Sequence, residues 1–361
     1  MRGHDRRQEQ LYSYISMEQR VPPEHPLRGI RKIADEVLKK LSGRLSKMYS
    51  DVGRPSIPPE QLLRALMLQG LYTIRSERQL MEQLDYNLLY RWFVGLSMDD
   101  PVWVPTVFTK NRDRLLEGDI AEAFFSQVMA IARRENLLGE EHFTVDGTLL
   151  EAWASLKSFK KKDDKTQPPS DDPGNPTVNF HGEKRSNETH QSTTDPEARL
   201  YRKGAGKEAK MSYMGHLVMD NRHGLVVSSS VTIASGTAEA EAALDMLKHL
   251  KHKGIRPKTV GADRWYDQKK VVKALRKLKI TPHVAQKIDE RYTAIDNRTT
   301  RHKGYLISQQ KRKLIEQVFG WKKVIAMLRK LHHRGKRKVG WVFTFVSALF
   351  NMMRINNLQR A

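Results

Sequence analysis

Residues 308–323 read Ser-Gln-Gln-Lys-Arg-Lys-Leu-Ile-Glu-Gln-Val-Phe-Gly-Trp-Lys-Lys, and their pattern predicts a helix. Apolar residues recur at helical spacing as one stripe, which comprises Leu314, Val318, Trp321 and Ile325. Arg312, Glu316 and Lys323 are four and seven residues apart and line a different face. Such a face can form ordinary i,i+4 ion pairs on a solvated surface. It predicts a functional site only if carboxylates from elsewhere in the chain fold beside Glu316.

The charge of the chain indicates the kind of partner it binds. Its 361 residues include 64 Lys and Arg against 41 Asp and Glu, a formal net charge of +23. Surface cations displace counterions from nucleic acid, so this excess favours a polyanionic partner such as double-stranded DNA. Ribosomal proteins and membrane-surface proteins can be equally basic, so charge alone does not decide between these classes.

Composition also excludes several kinds of protein. The chain has no cysteine, which excludes disulfides and thiolate metal sites and fits a reducing compartment. The N-terminus, Met-Arg-Gly-His-Asp-Arg-Arg, has no apolar segment of a secretory signal. The longest apolar run, residues 341–353, is too short to span a bilayer and is typical of a buried helix. We therefore expect a cytoplasmic protein without a membrane partner.

The first 138 residues predict an all-helical domain. Short amphipathic segments alternate with turns that contain Pro or Gly, and the segments begin near Pro26, Gln61, Arg78, Leu88, Thr106 and Ala121. Arg and Lys on the outer faces of such helices suit a DNA-binding domain. They suit a plain helical bundle as well, and both interpretations stay open.

Residues 139–156 and 211–361 predict an α/β domain with one mixed sheet flanked by helices. The order is strand, hairpin, helix, strand, helix, strand and then further helices, with the hairpin turn at residues 220–224. Asp146 ends the first strand and Asp263 ends the strand at residues 258–262. If these strands are parallel neighbours, both aspartates lie at the edge of the sheet where open α/β sheets hold their sites.

Residues 157–210 differ in composition from both regions. Three lysines and two aspartates are followed by a run rich in Pro, Ser, Asn and Thr, which predicts a polar, mobile insertion. Such a segment can contact DNA as a loop, or it can be a surface insertion without a role.

Asp146, Asp263 and Glu316 together could hold two Mg²⁺ ions, with Mn²⁺ as a substitute. Hard cations take oxygen ligands and keep several waters, so a few carboxylates suffice. Two ions about 4 Å apart clamp the attacking and leaving oxygens of an in-line displacement at phosphorus. Clustered acids without metal would repel one another, so we expect a metal-dependent site. Arg312 and Lys323 would then contact phosphate oxygens.

These motifs resemble the DDE transposases of bacterial insertion sequences, in particular the group numbered four and five. The resemblance rests on Asp146 in Val-Asp-Gly-Thr and on Asp263 in Gly-Ala-Asp-Arg-Trp-Tyr-Asp. It also rests on Arg312, Glu316 and Lys323 in the stretch at residues 308–323. That group has a Tyr three residues before the Arg, where this chain has Gln309. The N-terminal region, with Gly53-Arg-Pro-Ser56 and residues 78–96, is similar to the N-terminal domain of the same group.

The resemblance implies an RNase H-like catalytic domain and a transposase activity. A DDE transposase of this group would cleave DNA strands at the element ends and join the freed 3′-hydroxyl to target DNA. It would act as a homodimer on DNA, because two ends must be paired. Other cations are candidate DNA contacts, namely Arg298, Arg301, Lys303, Arg334, Lys336 and Arg337.

Some residues near these motifs compete for the same roles. Asp267 could replace Asp263 as the second aspartate, although a role as N-cap of the following helix is favoured. Trp265 and Tyr266 could stack on a splayed base, although core packing is favoured. His216 and His223 could approach phosphate, but a strand histidine and a turn histidine are more often structural.

For the other acidic residues near these motifs, the sequence favours structural roles. Asp220 suits the hairpin turn, Glu151 suits the surface, and Glu239 and Glu241 suit the positive end of the helix that they open. Two other functions also stay open: a structure-selective nuclease on the same fold without strand transfer, and an inactive basic DNA-binding protein.

Overall fold

The computed structural model describes residues 14–50, 52–53, 56–162, 186–202, 204, 208–287 and 292–360. Residues 163–185 of the predicted insertion lie outside the described residues, as do Arg54 and Pro55 of the motif at 53–56.

Helices form the N-terminal region, close to the predicted positions. They are α1 (Met17–Arg20), α2 (Pro26–Ser46), α3 (Pro59–Leu71), α4 (Glu77–Tyr86), α5 (Leu88–Val94), α6 (Pro105–Glu117) and α7 (Ile120–Arg134). Local sequence explains several boundaries: a Pro occupies the first turn of α2, α3 and α6. The side chain of Ser76 accepts a hydrogen bond from the backbone of Gln79 at the start of α4.

A mixed sheet forms the second region. Its strands are β1 (His142–Glu151), β4 (Arg199–Tyr201), β5 (Lys210–Asp220), β6 (Val226–Ile233), β7 (Thr259–Ala262) and β8 (Thr281–Val284). The strands pair in the order β4-β5-β1-β7-β8, and β6 also pairs with β5. β5 is antiparallel to β1 and to β6, whereas β7 is parallel to β1 and to β8. This order and the flanking helices confirm the predicted RNase H-like fold.

The remaining helices cover the two faces of the sheet. They are α8 (Ala238–His252), α9 (Lys269–Lys277), α10 (Asn297–Thr300), α11 (Lys303–Lys311), α12 (Leu314–Val324) and α13 (Lys336–Arg360). Two glycines permit close packing from opposite sides. A Cβ on Gly147 would lie 2.8 Å from Glu239 of α8, and one on Gly215 would lie 2.7 Å from the ring of Phe343 in α13. Gly147 is paired with His216, the residue next to Gly215 in β5. Because adjacent residues of a strand alternate between faces, Gly147 and Gly215 lie on opposite faces, and α8 and α13 therefore cover different faces of the sheet.

The long helix α13 joins the two regions into one core. It packs against α2 and α7 on one side and against β5 and β6 on the other. Its buried Asn351 accepts a hydrogen bond from the backbone N–H of Val226 at 2.8 Å and donates one to the Val226 carbonyl at 2.7 Å. A helix side chain thus satisfies both backbone groups at the start of β6.

The described parts of the predicted insertion contain strands. β2 (Phe159–Lys161) pairs with β3 (His190–Ser192), and β4 joins the main sheet. Buried Asp195 accepts hydrogen bonds from the Tyr213 hydroxyl at 2.7 Å and from the Gly335 N–H at 3.3 Å. Where the structure describes it, the segment at 157–210 is therefore tied to the sheet and to the start of α13. None of the described helices is long and apolar enough to cross a membrane.

Candidate active site

The register of β1 and β7 brings the two predicted aspartates together. Thr144 lies opposite Gly261 in this parallel pair. Extended by two residues, this register sets Asp146 opposite Asp263, which directly follows β7. Asp146 lies in the middle of β1 and not at the end of the first strand, as the sequence predicted, because β1 continues to Glu151. Adjacent strands are about 4.8 Å apart, so the two backbones are close enough for the carboxylates to share one pocket.

Both aspartates belong to the face of the sheet that α11 and α12 cover. Side chains alternate along a strand, so Asp146 points to the same side as Thr144. A Cβ on Gly261 would lie 3.3 Å from the Thr144 hydroxyl oxygen and 3.5 Å from the Cβ of Arg312. The start of the segment at residues 308–323 therefore lies directly over the strands beside the aspartates.

The immediate surroundings of the aspartates are polar and partly open. Asp146 is half-buried, and its Oδ1 accepts a hydrogen bond from the Gly147 N–H at 2.7 Å. Asp263 is half-buried, and its Oδ1 accepts one from the Trp265 N–H at 2.9 Å. Burial raises the pKa of Tyr266 well above its ordinary value, and the charges of Glu239, Asp146 and Asp263 raise it further.

The stretch at 308–323 is two helices and not the single helix predicted. α11 ends at Lys311 and α12 begins at Leu314. The backbone stays helical between them, but its hydrogen bonds change from i−4 at Arg312 to i−3 at Lys313, Ile315 and Glu316. Each residue of 3₁₀ geometry turns the chain by about 120° instead of about 100°. Arg312 and Glu316 are therefore not aligned as one continuous α-helix would align them.

The buried face of α12 also differs from the predicted stripe. The buried residues are Ile315, Val318, Phe319 and Lys322. Trp321, which the prediction placed in the core, is half-buried and meets the ring of Phe350 with centroids 5.6 Å apart. The burial of Lys322 was not expected from the sequence.

Glu316 is exposed on α12, which packs against β1, and Lys323 is half-buried near the end of the same helix. In the described part of the chain, no three His, Asp or Glu side chains lie close enough to hold a metal ion together. The structure thus brings Asp146 and Asp263 together and does not close Glu316 onto them. Three carboxylates fit a divalent hard cation in their donor chemistry.

Gln309 takes the position of the expected Tyr and links two elements. Its Nε2 donates to the carbonyl of His283 in β8 at 2.5 Å, and its Oε1 accepts from Nε of Arg312 at 2.9 Å. Gln309 therefore holds the Arg312 side chain beside the parallel edge of the sheet.

The structure corrects the role predicted for Asp267. Gln268, and not Asp267, precedes α9 as its N-cap residue. Asp267 is buried and accepts hydrogen bonds from the Lys287 N–H, the Thr293 hydroxyl and the Ala294 N–H at 3.0, 2.6 and 2.7 Å. It anchors the segment after β8, and its oxygens are occupied, which leaves Asp263 as the second aspartate of this edge.

One of the two competing histidines is structural. His216 is buried in β5, its Nε2 lies 2.7 Å from the Thr232 hydroxyl, and burial lowers its pKa to about 4. Asp220 accepts hydrogen bonds from the N–H groups of Arg222 and His223 in the hairpin turn. The turn role predicted for Asp220 is therefore confirmed.

The aromatic pair after Asp263 divides between core and solvent. Tyr266 is buried, in agreement with the favoured interpretation, but Trp265 is 57% exposed. Core packing is therefore wrong for Trp265, which leaves its ring available to contact DNA bases.

Glu239 is a nearby carboxylate that sequence reasoning assigned only to the helix terminus. It lies in the first turn of α8 and packs over Gly147, the residue after Asp146. The sequence offers one signal for this contact: a glycine inside a strand often marks a close approach by another element.

The candidate DNA-contacting cations are exposed and form two groups. Arg298, Arg301 and Lys303 lie in α10 and at the start of α11, beside the edge strand β8. Arg334, Lys336 and Arg337 surround the start of α13, where the Lys336 N–H donates to Glu197 just before β4. β4 and β8 are at opposite ends of the strand order, so the two groups flank the sheet.

Two families match this chain in consecutive regions. Residues 15–114 match the family described as Transposase domain (DUF772), and residues 177–350 match the family described as Transposase DDE domain. The second match includes Asp263 and Glu316, whereas Asp146 lies between the two matches. A search of curated proteins finds no match.

Solved structures of transposases also resemble the chain at low similarity. A piggyBac transposase synaptic complex with hairpin DNA is 12% identical with a TM-score of 0.42, covering 93% of this chain and 76% of that one. A Mos1 transposase paired-end complex with the left transposon end is 12% identical with a TM-score of 0.21, covering 89% and 87%. A mariner Mos1 paired-end complex with Mg is 12% identical with a TM-score of 0.20, covering 87% and 100%.

The two family matches show that the chain is a transposase. The chain belongs to the DDE transposases, a family of enzymes that cleave DNA and transfer its strands.

Proposed function

We propose that Asp146, Asp263 and Glu316 are the catalytic carboxylates of this transposase and hold two Mg²⁺ ions, for which Mn²⁺ can substitute. The observation that carries this proposal is the parallel register that sets Asp146 opposite Asp263, on the face covered by α11 and α12. α12, which carries Glu316, packs against β1 on that face.

The chain's own residues then have distinct tasks in cleavage. Asp146 in β1 and Asp263 just after β7 fix the position of the scissile phosphate, and Glu316 completes the acidic site from α12. Bound divalent ions would supply charge stabilisation at phosphorus and a more acidic attacking water. Arg312 and Lys323 contact non-bridging oxygens beside the reacting group. Water adds to phosphorus, the P–O3′ bond breaks, and a free 3′-hydroxyl remains on one strand.

Strand transfer repeats this displacement with a different nucleophile. The 3′-oxygen at the element end attacks a phosphodiester of target DNA, so a new P–O bond forms and a target 3′-hydroxyl leaves. The proton of the attacking hydroxyl passes to solvent or to the leaving oxygen. One phosphodiester replaces another, so the step needs no external energy source.

The two groups of cations support double-stranded DNA as the partner. Arg298, Arg301 and Lys303 would contact one side of the bound duplex, and Arg334, Lys336 and Arg337 the other. The helical N-terminal region would bind the element ends. We further propose that the enzyme acts as a homodimer on DNA. We also propose that it is cytoplasmic and lies on the nucleoid when bound to DNA, and that it belongs to the insertion-sequence group numbered four and five. The Arg, Glu and Lys spacing supports that group.

A joining assay tests the proposal. The substrate is a linear fragment that carries the DNA flanking the gene, with a supercoiled plasmid as target and Mg²⁺ in the buffer. We expect Asp146→Asn to abolish nicking and joining while the Kd for the duplex changes less than about threefold, because the substitution removes a metal ligand and not a cation. Asp245→Asn, at an exposed position of α8, is the matched control and should retain both activities.

Each other outcome has a definite meaning. Cleavage without joined products would identify a nuclease. Duplex binding with neither product, and without a saturable Mn²⁺ site, would identify an inactive DNA-binding protein. Loss of DNA binding by a folded Asp146→Asn protein would contradict the assigned separation of roles.

A further inference from the structure

α12 buries a lysine on its core face. Three apolar residues of that face, Ile315, Val318 and Phe319, are followed by Lys322 at helical spacing. Lys322 is only 1% exposed, so it occupies a position where an apolar residue is the usual choice.

The amine of Lys322 makes directional contacts with α13. Its Nζ donates to the Phe343 carbonyl at 3.2 Å and to the Ser347 hydroxyl oxygen at 2.5 Å, and it lies 3.4 Å from the centroid of the Phe343 ring. The Ser347 hydroxyl in turn donates a hydrogen bond to the Ser229 hydroxyl oxygen in β6 at 3.1 Å. Lys322 therefore connects α12 to α13 and, through Ser347, to the sheet.

Stability alone does not explain a lysine here. Burial lowers its pKa well below the ordinary value, because desolvation disfavours the ammonium form. Methionine has a similar length and would fill the same space without desolvating an amine, and such replacements of buried charged groups are often neutral or stabilising. Methionine, however, cannot donate hydrogen bonds. Apolar contacts persist when a helix rotates, whereas hydrogen bonds to fixed atoms hold the helix in one orientation.

The rotation of α12 matters because the same helix carries Glu316. A side-chain carboxylate is about 6 Å from its helix axis, so a rotation of about 20° moves it by roughly 2 Å. A misplacement of about 1 Å can lower the rate of a catalysed reaction by roughly 100-fold. A helix held only by apolar contacts would therefore place Glu316 too loosely for catalysis.

We propose that Lys322 is a positioning residue of this transposase, whose bonds to α13 fix the rotation of α12 and thereby aim Glu316 at Asp146 in β1 and at Asp263 just after β7. This inference rests on the catalytic role proposed above for Glu316.

The test is Lys322→Met, with Lys248→Met as the matched control. Lys248 is an exposed lysine of α8, remote from α12. The measurements are the Tm, the Kd for element-end DNA, the nicking rate at saturating Mg²⁺ and the Mg²⁺ concentration that gives half of that rate. For Lys322→Met we expect an equal or higher Tm, a Kd within twofold of wild type, a rate about 10- to 100-fold lower and a raised Mg²⁺ requirement.

The outcomes separate this inference from the proposed function. A folded Lys322→Met protein with the wild-type rate and Mg²⁺ requirement would overturn the positioning role. Glu316→Gln at the wild-type rate would instead refute the catalytic role of Glu316, whatever Lys322→Met does.

A second variant decides the question if Lys322→Met does not fold. Ser347→Ala removes the 2.5 Å partner of the lysine and keeps a residue well suited to the interior of α13. A rate at least threefold lower with a raised Mg²⁺ requirement and an unchanged Tm supports the role. Wild-type values for both quantities overturn it.

Discussion

Asn351→Leu is expected to destabilise the whole chain. Asn351 is fully buried, and its side chain satisfies both the N–H and the C=O of Val226 at 2.8 and 2.7 Å. Leucine is close in volume but offers no polar atom, so both backbone groups of Val226 would be left unpaired inside the core. Each unpaired buried group costs about 1–3 kcal/mol, so the two together lower the free energy of unfolding by roughly 2–6 kcal/mol.

Urea denaturation followed by tryptophan fluorescence measures this loss. Asn357→Leu is the matched control, because Asn357 lies in the same helix but is exposed. It should change the free energy of unfolding by less than about 0.5 kcal/mol. The reasoning would be refuted if Asn351→Leu lost less than 1 kcal/mol relative to Asn357→Leu, since water or a shifted backbone would then be satisfying Val226.

Three further outcomes are expected. Gly147→Ala should lower the nicking rate, because its Cβ would meet the Glu239 side chain at 2.8 Å and force that carboxylate to move beside Asp146; a wild-type rate in the joining assay would contradict this. Trp265→Ala should lower nicking about tenfold with a nearly unchanged duplex Kd, because the exposed ring is expected to stack on a base that leaves the duplex; an equal effect on binding would argue against stacking. Burial lowers the pKa of His216 to about 4, so below about pH 6.5 the unfolded chain takes up a proton that the native chain does not. The free energy of unfolding should therefore fall as pH drops from about 6.5 towards 4, and less steeply in His216→Asn, as measured by urea denaturation across that range.

The strands and the hairpin could be predicted because their signals are local. Two runs of strand-forming residues on either side of the turn at residues 220–224 predicted β5 and β6. The helical N-terminal region followed from periodicity and from the prolines that begin its helices.

The meeting of Asp146 and Asp263 could be predicted only in part. The order of elements predicted that both residues end strands of one sheet. Their register depends on pairing between strands more than a hundred residues apart, for which a single sequence carries no local signal. The structure supplies that register.

The faces of α12 could not be assigned from the sequence. Leu314, Ile315, Val318, Phe319 and Trp321 are all apolar, so two stripes one residue apart fit helical periodicity equally well. The 3₁₀ turn before α12 orients the helix so that the stripe ending in Lys322 is buried. Hydropathy alone would have placed a lysine in solvent. Asp267 was misassigned for a similar reason, because its partners at residues 287–294 are remote in sequence.

The position of α13 has a consequence for synthesis of the protein on the ribosome. This helix is translated after every other described element, yet it packs against α2 and α7 as well as the sheet. Until residues 336–360 emerge from the ribosome, α2 and α7 expose the apolar surface that α13 covers in the folded protein. A product of premature termination upstream of α13 would therefore be a substrate for chaperones and proteases, and not a free-standing DNA-binding fragment able to compete with the full-length enzyme.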